Sequence, residues 1–230
     1  MKAIIVFCMF LIAMPVLAGT WRDDFENQQD FANDRQNGVW IAEFNNTAIE
    51  TIAWENGAVK VDMTPSGGGL SIGDNTWKDY TVECKIKQLK SSFNGSGILL
   101  RHPINSAAAY FFGIKEPKVK EAGIYLNLTG PLSTFPFEYE LDKWYSLKAV
   151  IKGNQLEFYI DDKLMAKAED DRNQAGCVGF GTFGTAIFDD FVMTGPEVKD
   201  GGHWDPKAHD QLTAVKPQNN LAVTWGQIKK

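Results

Sequence analysis

The sequence predicts an all-β protein, a two-sheet antiparallel jelly-roll sandwich followed by an irregular C-terminal tail. Short segments alternate apolar and polar residues with a period of two, and turn residues separate these segments. No long stretch after residue 18 shows a helical period, which excludes a parallel sheet built with crossover helices. The 21 glycines and the 12% aromatic content are typical of strands and turns, and so support the same fold class.

Residues 1–18 have the pattern of an export signal. Lys2 supplies a positive start, the run from Ala3 to Met14 is apolar, and Pro15 ends it. We expect cleavage after Ala18, and therefore a secreted or periplasmic protein. A buried helix or a membrane anchor is the alternative. The apolar run is short for a bilayer and no second one follows, so we expect a chain that does not span a membrane.

Residues 19–196 form the predicted sandwich. The period-two segments are Val39–Phe44, Ala58–Met63, Trp77–Leu89, Gly95–His102, Ala108–Ile114, Gly123–Leu128, Trp144–Ile151, Gln155–Ile160, Lys163–Ala168, Gly176–Phe183 and Ala186–Thr194. Turn residues such as Lys152-Gly153-Asn154 separate them. About a dozen strands of this length fit one two-sheet domain.

Residues 197–230 form the predicted tail, because strand signals become sparse after Gly195-Pro196. In one interpretation the tail wraps the sandwich, with Trp204 and Trp225 as apolar contacts, since tryptophans exposed on a loose tail would promote aggregation. In the other it is a short recognition or tethering element. We favour the wrapped tail.

The cysteines of the predicted mature chain, Cys84 and Cys177, are expected to be free thiols. Export makes a disulfide chemically possible. However, Cys84 alternates with core-facing residues, whereas Cys177 lies out of phase with the bulky Val178 and Phe180. The two side chains should therefore point to different faces.

The charge excludes one class of partner. The chain has 23 basic and 29 acidic residues, a net charge of −6, and no basic run. Nucleic acid binding needs a clustered basic surface, so we expect no nucleic acid partner. Removal of Lys2 with the leader changes the net charge to −7.

A candidate ligand site lies on the strands Gly95–His102 and Ala108–Ile114, which are apolar or small on both faces. Either loops cover the outer face, or that face is a shallow groove. If the face is a groove, Arg101 would donate hydrogen bonds to sugar hydroxyls or to a carboxylate. If loops cover the face, Arg101 pairs with a neighbouring acid and Tyr110 belongs to the core. The predicted ligand-binding residues are Arg101, His102, Tyr110, Trp77 and Tyr125.

A candidate cation site is built from two acidic pairs, one in the first and one in the last predicted strand. Asp24 belongs to the pair near the start of the predicted mature chain, and Asp189 and Asp190 interrupt the last strand. A buried carboxylate must be paired, hydrogen-bonded or bound to a metal. The predicted cofactor is a structural calcium ion on Asp24, Asp189 and Asp190. An ion pair with Arg22, or backbone N–H contacts, is the alternative.

Two apparent motifs fail because of their context. The glycines of residues 179–184 have the spacing of a dinucleotide fingerprint, but a strand pattern follows where that motif needs a helix. The carboxylates of residues 138–142 resemble a glycosidase pair, yet position 145 is Tyr where the laminarinase-type pattern needs a further Glu. We therefore expect a hairpin at the first segment and a solvated loop at the second.

Several short motifs occur together in a familiar order: Asp23-Asp24-Phe25, Trp54-Glu55-Asn56-Gly57, Trp77-Lys78-Asp79-Tyr80, Gly97-Ile98-Leu99-Leu100-Arg101, Trp144-Tyr145-Ser146-Leu147-Lys148 and the run from Gly176 to Phe191. From Trp21 to Gly195 the chain resembles the concanavalin A-like lectin/glucanase superfamily, especially its laminin-G-like and 3-keto-disaccharide-hydrolase-like domains. The resemblance implies a jelly-roll sandwich, often carbohydrate-binding and sometimes carrying calcium. It transfers no catalytic set to this chain.

These observations predict a secreted, lectin-like domain that binds a glycan or a cell-surface polysaccharide without turning it over. One alternative is a glycoside or 3-keto-glycoside hydrolase of the same fold. The other is a structural module of the cell surface or matrix.

Overall fold

The structure is a computed structural model that describes residues 18–43, 52–63, 67–90, 94–104, 106 and 108–205. Over these residues it contains sixteen strands and one helix, which confirms the all-β prediction. In chain order the elements are β1 (Gly19–Asp23), α1 (Gln28–Gln36), β2 (Ile41–Glu43), β3 (Ile52–Trp54), β4 (Val59–Asp62), β5 (Gly68–Ile72), β6 (Tyr80–Lys90), β7 (Ser96–His102), β8 (Tyr110–Ile114), β9 (Glu121–Leu126), β10 (Gly130–Pro136), β11 (Trp144–Lys152), β12 (Gln155–Ile160), β13 (Lys163–Glu169), β14 (Cys177–Thr182), β15 (Thr185–Gly195) and β16 (Gly201–His203).

Two predictions fall largely outside the described residues. These are the export signal, apart from Ala18, and the tail from residue 206 onwards, which includes Trp225. No helix in the described part of the chain is long and apolar enough to cross a membrane.

The strands form two sheets. The nine-stranded sheet has the order β13-β12-β11-β6-β15-β1-β16, and β4 pairs with both β15 and β3. The seven-stranded sheet has the order β10-β9-β8-β7-β14-β5-β2. The pairs are antiparallel except for β1 and β16, which run parallel. The result is a two-sheet sandwich in which neighbouring strands are often far apart in the sequence.

The main core lies between the sheets. In β6 the alternation is regular, so that Val82, Cys84 and Ile86 are buried while the residues between them are partly exposed. Phe180 of β14 stacks on Phe188 of β15, with ring centroids 4.3 Å apart, and this contact joins the two sheets. Burying each large apolar side chain of this kind contributes about 1.5–3 kcal/mol.

All eleven predicted segments overlap a strand. The glycine run of residues 179–184 lies in β14 and in the short turn before β15, so a strand follows it as predicted. The predicted hairpin is wrong, because β14 and β15 belong to different sheets and the turn crosses between them. Residues 138–142 lie outside the strands, as predicted. Strand β5 is not predicted, because its glycines resemble a turn. At Gly69 a Cβ atom would lie 1.9 Å from the Phe180 carbonyl oxygen. That glycine therefore permits close approach of two backbones in a strand.

Helix α1 is also not predicted, because Phe31 is its only buried residue and no apolar stripe exists. Its local signals are clear once the boundaries are known. Asn27 caps the N-terminus, since its side-chain oxygen accepts hydrogen bonds from the backbone N–H groups of Gln29 and Asp30. The Phe31 ring packs edge-on against Phe25, 5.8 Å away, and this contact attaches the helix to the end of β1.

The two described cysteines are free and buried, as predicted. Cys84 lies in the core between the sheets, whereas Cys177 is buried outside that cluster. The different faces of the two side chains, predicted from strand parity, account for the absence of a bridge between them.

The segment 196–205, here called the return strap, runs back along β1. Val198 is buried in the core, and the backbone N–H of Thr20 donates to an Asp200 carboxylate oxygen at 2.7 Å. β16 then pairs with β1, placing Trp21 opposite Gly201 and Asp23 opposite His203. The first part of the predicted tail is therefore an ordered strand of the sheet, which agrees with the wrapped interpretation up to residue 205.

Candidate functional site

Arg101, the predicted polar anchor, is only 2% exposed. Its Nε donates to the Lys78 carbonyl oxygen at 2.9 Å, and its Nη1 donates to that of Asn173 at 3.1 Å. Its Nη2 donates to the Gly153 carbonyl oxygen at 2.8 Å and to an Asp79 carboxylate oxygen at 3.2 Å. The guanidinium therefore ties three loops together, and a glycan would have to displace these acceptors to reach it.

His102 is fully buried beside Arg101. Its Nδ1 lies 3.0 Å from the Ser106 carbonyl oxygen and its Nε2 lies 2.9 Å from the Ser71 hydroxyl oxygen. Because a carbonyl oxygen only accepts, Nδ1 carries a proton. The imidazole thus fixes the chain after β7 against β5.

Tyr110 and Trp77 occupy different environments. Tyr110 belongs to the core; its hydroxyl donates to an Asp170 carboxylate oxygen at 2.6 Å and accepts from the Asn173 N–H at 3.1 Å. Burial, followed by the neighbouring Asp170, raises the pKa of Tyr110 to about 12. Trp77 is half-buried and packs edge-on against Tyr80 at a centroid distance of 6.5 Å.

The outer face of the seven-stranded sheet is covered at the predicted site. Leu99, Ala109, Phe111 and Tyr125 form a second apolar cluster, each at most 2% exposed, and Leu128 packs against it. This arrangement is the covered alternative of the sequence analysis. Four of the five predicted ligand residues lie on β7, β8 and β9, whereas Trp77 lies in the loop between β5 and β6. The ligand role of all five stays a prediction.

Lys115 lies over this second cluster. Its Nζ is 4.0 Å from the centroid of the Tyr125 ring and donates to the Leu128 carbonyl oxygen at 3.0 Å. Burial lowers the pKa of Lys115 to about 8. The cation–π contact and this hydrogen bond compensate part of the cost of burying the ammonium group.

Asp24, the first predicted calcium ligand, is buried at the end of β1. One of its carboxylate oxygens accepts from the Glu26 N–H at 3.2 Å, and the other accepts from the Asp205 N–H at 2.5 Å. These are the backbone contacts named as the alternative to a metal.

Asp189 and Asp190 follow each other at a bulge in β15. A carboxylate oxygen of Asp189 accepts from the Asp190 N–H at 2.7 Å, and Asp190 pairs with Lys85. Burial and the neighbouring Asp190 raise the pKa of Asp189 to about 7. Within the described ranges, no three histidine, cysteine or acidic side chains are grouped so that they could hold a metal ion. The calcium ion therefore stays a prediction.

A cleft of about 610 Å³ lies at another edge of the sandwich, and we call it the tryptophan cleft. Its walls come from the stretch 24–30 at the end of β1 and the start of α1, from Trp54 of β3, and from residues 202–205 of the return strap. The volume falls in the range of about 300–1,000 Å³ that is typical of small-molecule sites.

Two half-buried tryptophans line this cleft. The Trp54 Nε1–H donates to the Phe25 carbonyl oxygen at 2.6 Å, which fixes the orientation of the ring. The Arg22 guanidinium lies 5.7 Å from the centroid of the Trp204 ring. Both rings are therefore held by neighbouring groups before any ligand binds.

The other lining side chains are polar. Asp24, Glu26, Asp30 and Asp205 contribute carboxylates, and Asn27 and Gln28 contribute amides. Carboxylates accept hydrogen bonds, and amides both accept and donate them. The cleft therefore combines flat apolar surfaces with hydrogen-bonding groups, and its carboxylates make it acidic.

His203 joins the return strap to α1. Its Nδ1 lies 3.6 Å from an Asp30 carboxylate oxygen and its Nε2 lies 3.3 Å from that of Asp34. Asp23 lies behind this group and accepts from the Trp40 Nε1–H at 2.9 Å. Burial raises the pKa of Asp23 to about 6, against the opposing effects of its hydrogen bonds and of His203.

A family model described as the 3-keto-alpha-glucoside-1,2-lyase-like domain matches residues 20–193. The chain belongs to this family. The lyase-like match covers nearly all of β1, every strand from β2 to β14 and nearly all of β15, and it ends before the return strap. A comparison with curated proteins gave no match.

Solved structures share the fold of this lyase-like domain. The carbohydrate-binding module CBM66 from Bacillus subtilis is 17% identical, with a TM-score of 0.59 over 68% of this chain and 96% of the module. The winged bean acidic lectin, solved with methyl-alpha-D-galactose, is 11% identical, with a TM-score of 0.56 over 77% of this chain and 98% of the lectin. Domain 4 of the extracellular arabinanase AbnA from Geobacillus stearothermophilus, solved with arabinotriose, is 12% identical, with a TM-score of 0.52 over 77% of this chain and 93% of the domain.

Proposed function

We propose that this protein is an exported carbohydrate-binding domain whose glycan lies in the tryptophan cleft. The observation that carries the proposal is the convergence of Trp54 and Trp204 with carboxylate and amide groups in one cleft of about 610 Å³. The C–H faces of a sugar ring pack on flat aromatic surfaces, and its hydroxyls need acceptors and donors around them. The carbohydrate-binding module and the lectin of the same fold support this function.

The cleft suits a ligand better than the outer face around Arg101 does. Arg101 already donates four hydrogen bonds to protein acceptors, and Tyr125 is 2% exposed. Trp54 and Trp204 are half-buried, so each presents part of its surface. In this proposal Arg101 and His102 stabilise the sandwich, and the cleft binds the sugar.

A glycan array followed by calorimetry tests the proposal. We expect the wild type to bind neutral oligosaccharides, and we expect Trp54→Ala to weaken binding about tenfold or more, in line with loss of an aromatic contact. Trp144→Ala is the matched control, since Trp144 is 40% exposed and does not line the cleft. Absence of binding to every glycan, or equal binding by wild type and Trp54→Ala with both folded, would overturn the proposal.

Elimination at a 3-keto-α-glucoside is a second candidate, favoured by the family match. The 3-ketone acidifies the C2–H bond, so a carboxylate base can take that proton while the C1–O bond breaks. The aglycone leaves as an alkoxide and is protonated, and a conjugated enone remains on the sugar. Glu26 and Asp205 are the exposed carboxylates that line the cleft, and we take Glu26 as the candidate base.

Incubation with a chromogenic 3-keto-α-glucoside tests this second function. Release of the aglycone together with the ultraviolet absorbance of an enone, lost in Glu26→Gln, supports elimination. Release without the enone supports hydrolysis, the alternative of the sequence analysis. No release under conditions where the wild type binds glycan supports a non-catalytic domain.

A further inference from the structure

The return strap adds a wall to the tryptophan cleft that the family match does not include. The match ends at residue 193, whereas Gly202, His203, Trp204 and Asp205 line the cleft. One of the two tryptophans of the proposed site therefore comes from a segment beyond the family domain.

The strap is fixed along its length. At Gly202 a Cβ atom would lie 1.8 Å from the Arg22 carbonyl oxygen, so only glycine permits this approach to β1. The Asp24 N–H donates to the His203 carbonyl oxygen at 3.0 Å, and the Asp205 N–H donates back to the Asp24 carboxylate. Trp204 lies between these two hydrogen bonds, so its backbone position is set from both sides.

The side chain of His203 attaches the same segment to α1. Its two ring nitrogens face Asp30 and Asp34, which lie one helical turn apart. The strap therefore contacts β1 through its backbone and α1 through an imidazole. A wall held in this way keeps its shape when a ligand arrives, which lowers the entropic cost of binding.

We propose that the return strap is a specificity element that adds a second sugar subsite at Trp204. The cleft then takes a neutral oligosaccharide of at least two rings, with one ring on Trp54 and another on Trp204. This inference rests on the proposed function. Trp54 belongs to β3 and Trp204 belongs to the strap, so each of the two subsites is contributed by a different element.

Calorimetry with methyl α-glucoside, maltose and maltotriose tests the inference, since these are neutral α-linked sugars related to the 3-keto-α-glucoside that the family description names. We expect the wild type to bind maltotriose at least about tenfold more tightly than methyl α-glucoside. Trp204→Ala should lose that gain, so that its affinities for maltotriose and methyl α-glucoside become similar, whereas Trp54→Ala should lose binding of both. Trp204→Tyr retains a ring and should recover part of the gain.

The outcomes separate the two proposals. If Trp54→Ala loses binding and Trp204→Ala binds maltotriose as the wild type does, the proposed function stands and the strap inference is wrong. If the wild type binds none of the three probes, the strap inference is wrong, and the glycan array alone decides the proposed function. Loss of methyl α-glucoside binding in Trp204→Ala, at an unchanged melting temperature, overturns the two-subsite arrangement. If Trp204→Ala does not fold, Trp204→Tyr is compared with the wild type instead. A partial loss of the gain for maltotriose supports the inference, and no loss overturns it.

Discussion

The guanidinium of Arg101 shows how one side chain can hold together parts of the sandwich that are distant in sequence. It donates to the carbonyl oxygens of Lys78, Gly153 and Asn173 and to the Asp79 carboxylate. An ammonium group has a different shape and cannot reach all four acceptors. We expect Arg101→Lys to lower the free energy of unfolding by about 2–4 kcal/mol, because buried acceptors lose their donors.

Urea unfolding measures this change, and Arg172→Lys is the control. Arg172 is mostly exposed and pairs locally with Asp170, so its replacement should change the free energy of unfolding far less than Arg101→Lys does. Equal stabilities of Arg101→Lys and the wild type would contradict the role assigned to the guanidinium.

Asp189 should make stability depend on pH. Its folded pKa of about 7 lies above the ordinary value of 3.8, so the folded state holds a proton that the unfolded state releases. The stabilising contribution of this proton to the free energy of unfolding is complete below pH 3.8 and is lost as the pH rises through 7. We expect Asp189→Asn to raise the free energy of unfolding by about 1–2 kcal/mol at pH 8, after allowance for solvent screening, and to change it little at pH 4.

Thermal unfolding of the variant at both pH values measures the effect. Asp171→Asn, at an exposed position, is the matched control and should shift stability equally little at both. A gain from Asp189→Asn that is the same at pH 4 and pH 8 would show that titration of Asp189 is not the cause.

Strand parity predicts side-chain direction where the strand is regular and fails where it is not. Cys84 lies in a regular part of β6 and faces the core as predicted. Arg101 has a φ of 45°, and the register between β14 and β7 shifts nearby. The loops that cover Arg101 come from residues 78, 153 and 173, so its burial depends on contacts that local periodicity cannot reveal.

The return strap depends on one glycine. Gly202 has a φ of +88°, and a Cβ atom there would meet the Arg22 backbone. We expect Gly202→Ala to detach β16 and to lower the free energy of unfolding by about 2 kcal/mol or more. Hydrogen exchange at Asp24 and Asp205, whose N–H groups take part in the strap contacts, should become faster.

Gly153→Ala is the control for this prediction. Gly153 also has a positive φ, of +59°, but a Cβ atom there would meet nothing within 4 Å. Its replacement should therefore cost about 1 kcal/mol of backbone strain and leave exchange at Asp24 unchanged. Similar losses in both variants would mean that the close approach to Arg22 contributes nothing.

At the level of elements, the long strands were predictable and the cleft was not. Strands such as β6 and β11 carry an alternation that reads directly from the sequence. Helix α1 buries a single residue, and β16 is three residues long with two glycines, so neither has a periodic signal. Two of the parts that line the tryptophan cleft, the start of α1 and the return strap, come from these weak elements, and the His203 side chain joins them by facing Asp30 and Asp34.

The acidity of the whole molecule should also select among sugars. The chain has a net charge of −6, and four carboxylates line the cleft. A sugar that carries carboxylates is repelled, and this repulsion weakens with added salt. We expect digalacturonate to bind at least about tenfold more weakly than maltose at low ionic strength, and the difference to shrink in about 0.5 M salt.

Calorimetry at the two salt concentrations measures that difference. Methyl-esterified digalacturonate serves as the control, because it has the same rings without the charge. Tighter binding of the free acid than of the ester would contradict the electrostatic selection and place the glycan away from the carboxylates.

The parallel pairing of β1 and β16 also determines how the sandwich carries mechanical load. A pull applied between residues 19 and 203 acts along the axis of both strands and in opposite directions. Their hydrogen bonds, and those between β1 and β15, are then loaded in shear together rather than opened one by one. The sandwich would therefore resist such a force until several hydrogen bonds broke at once.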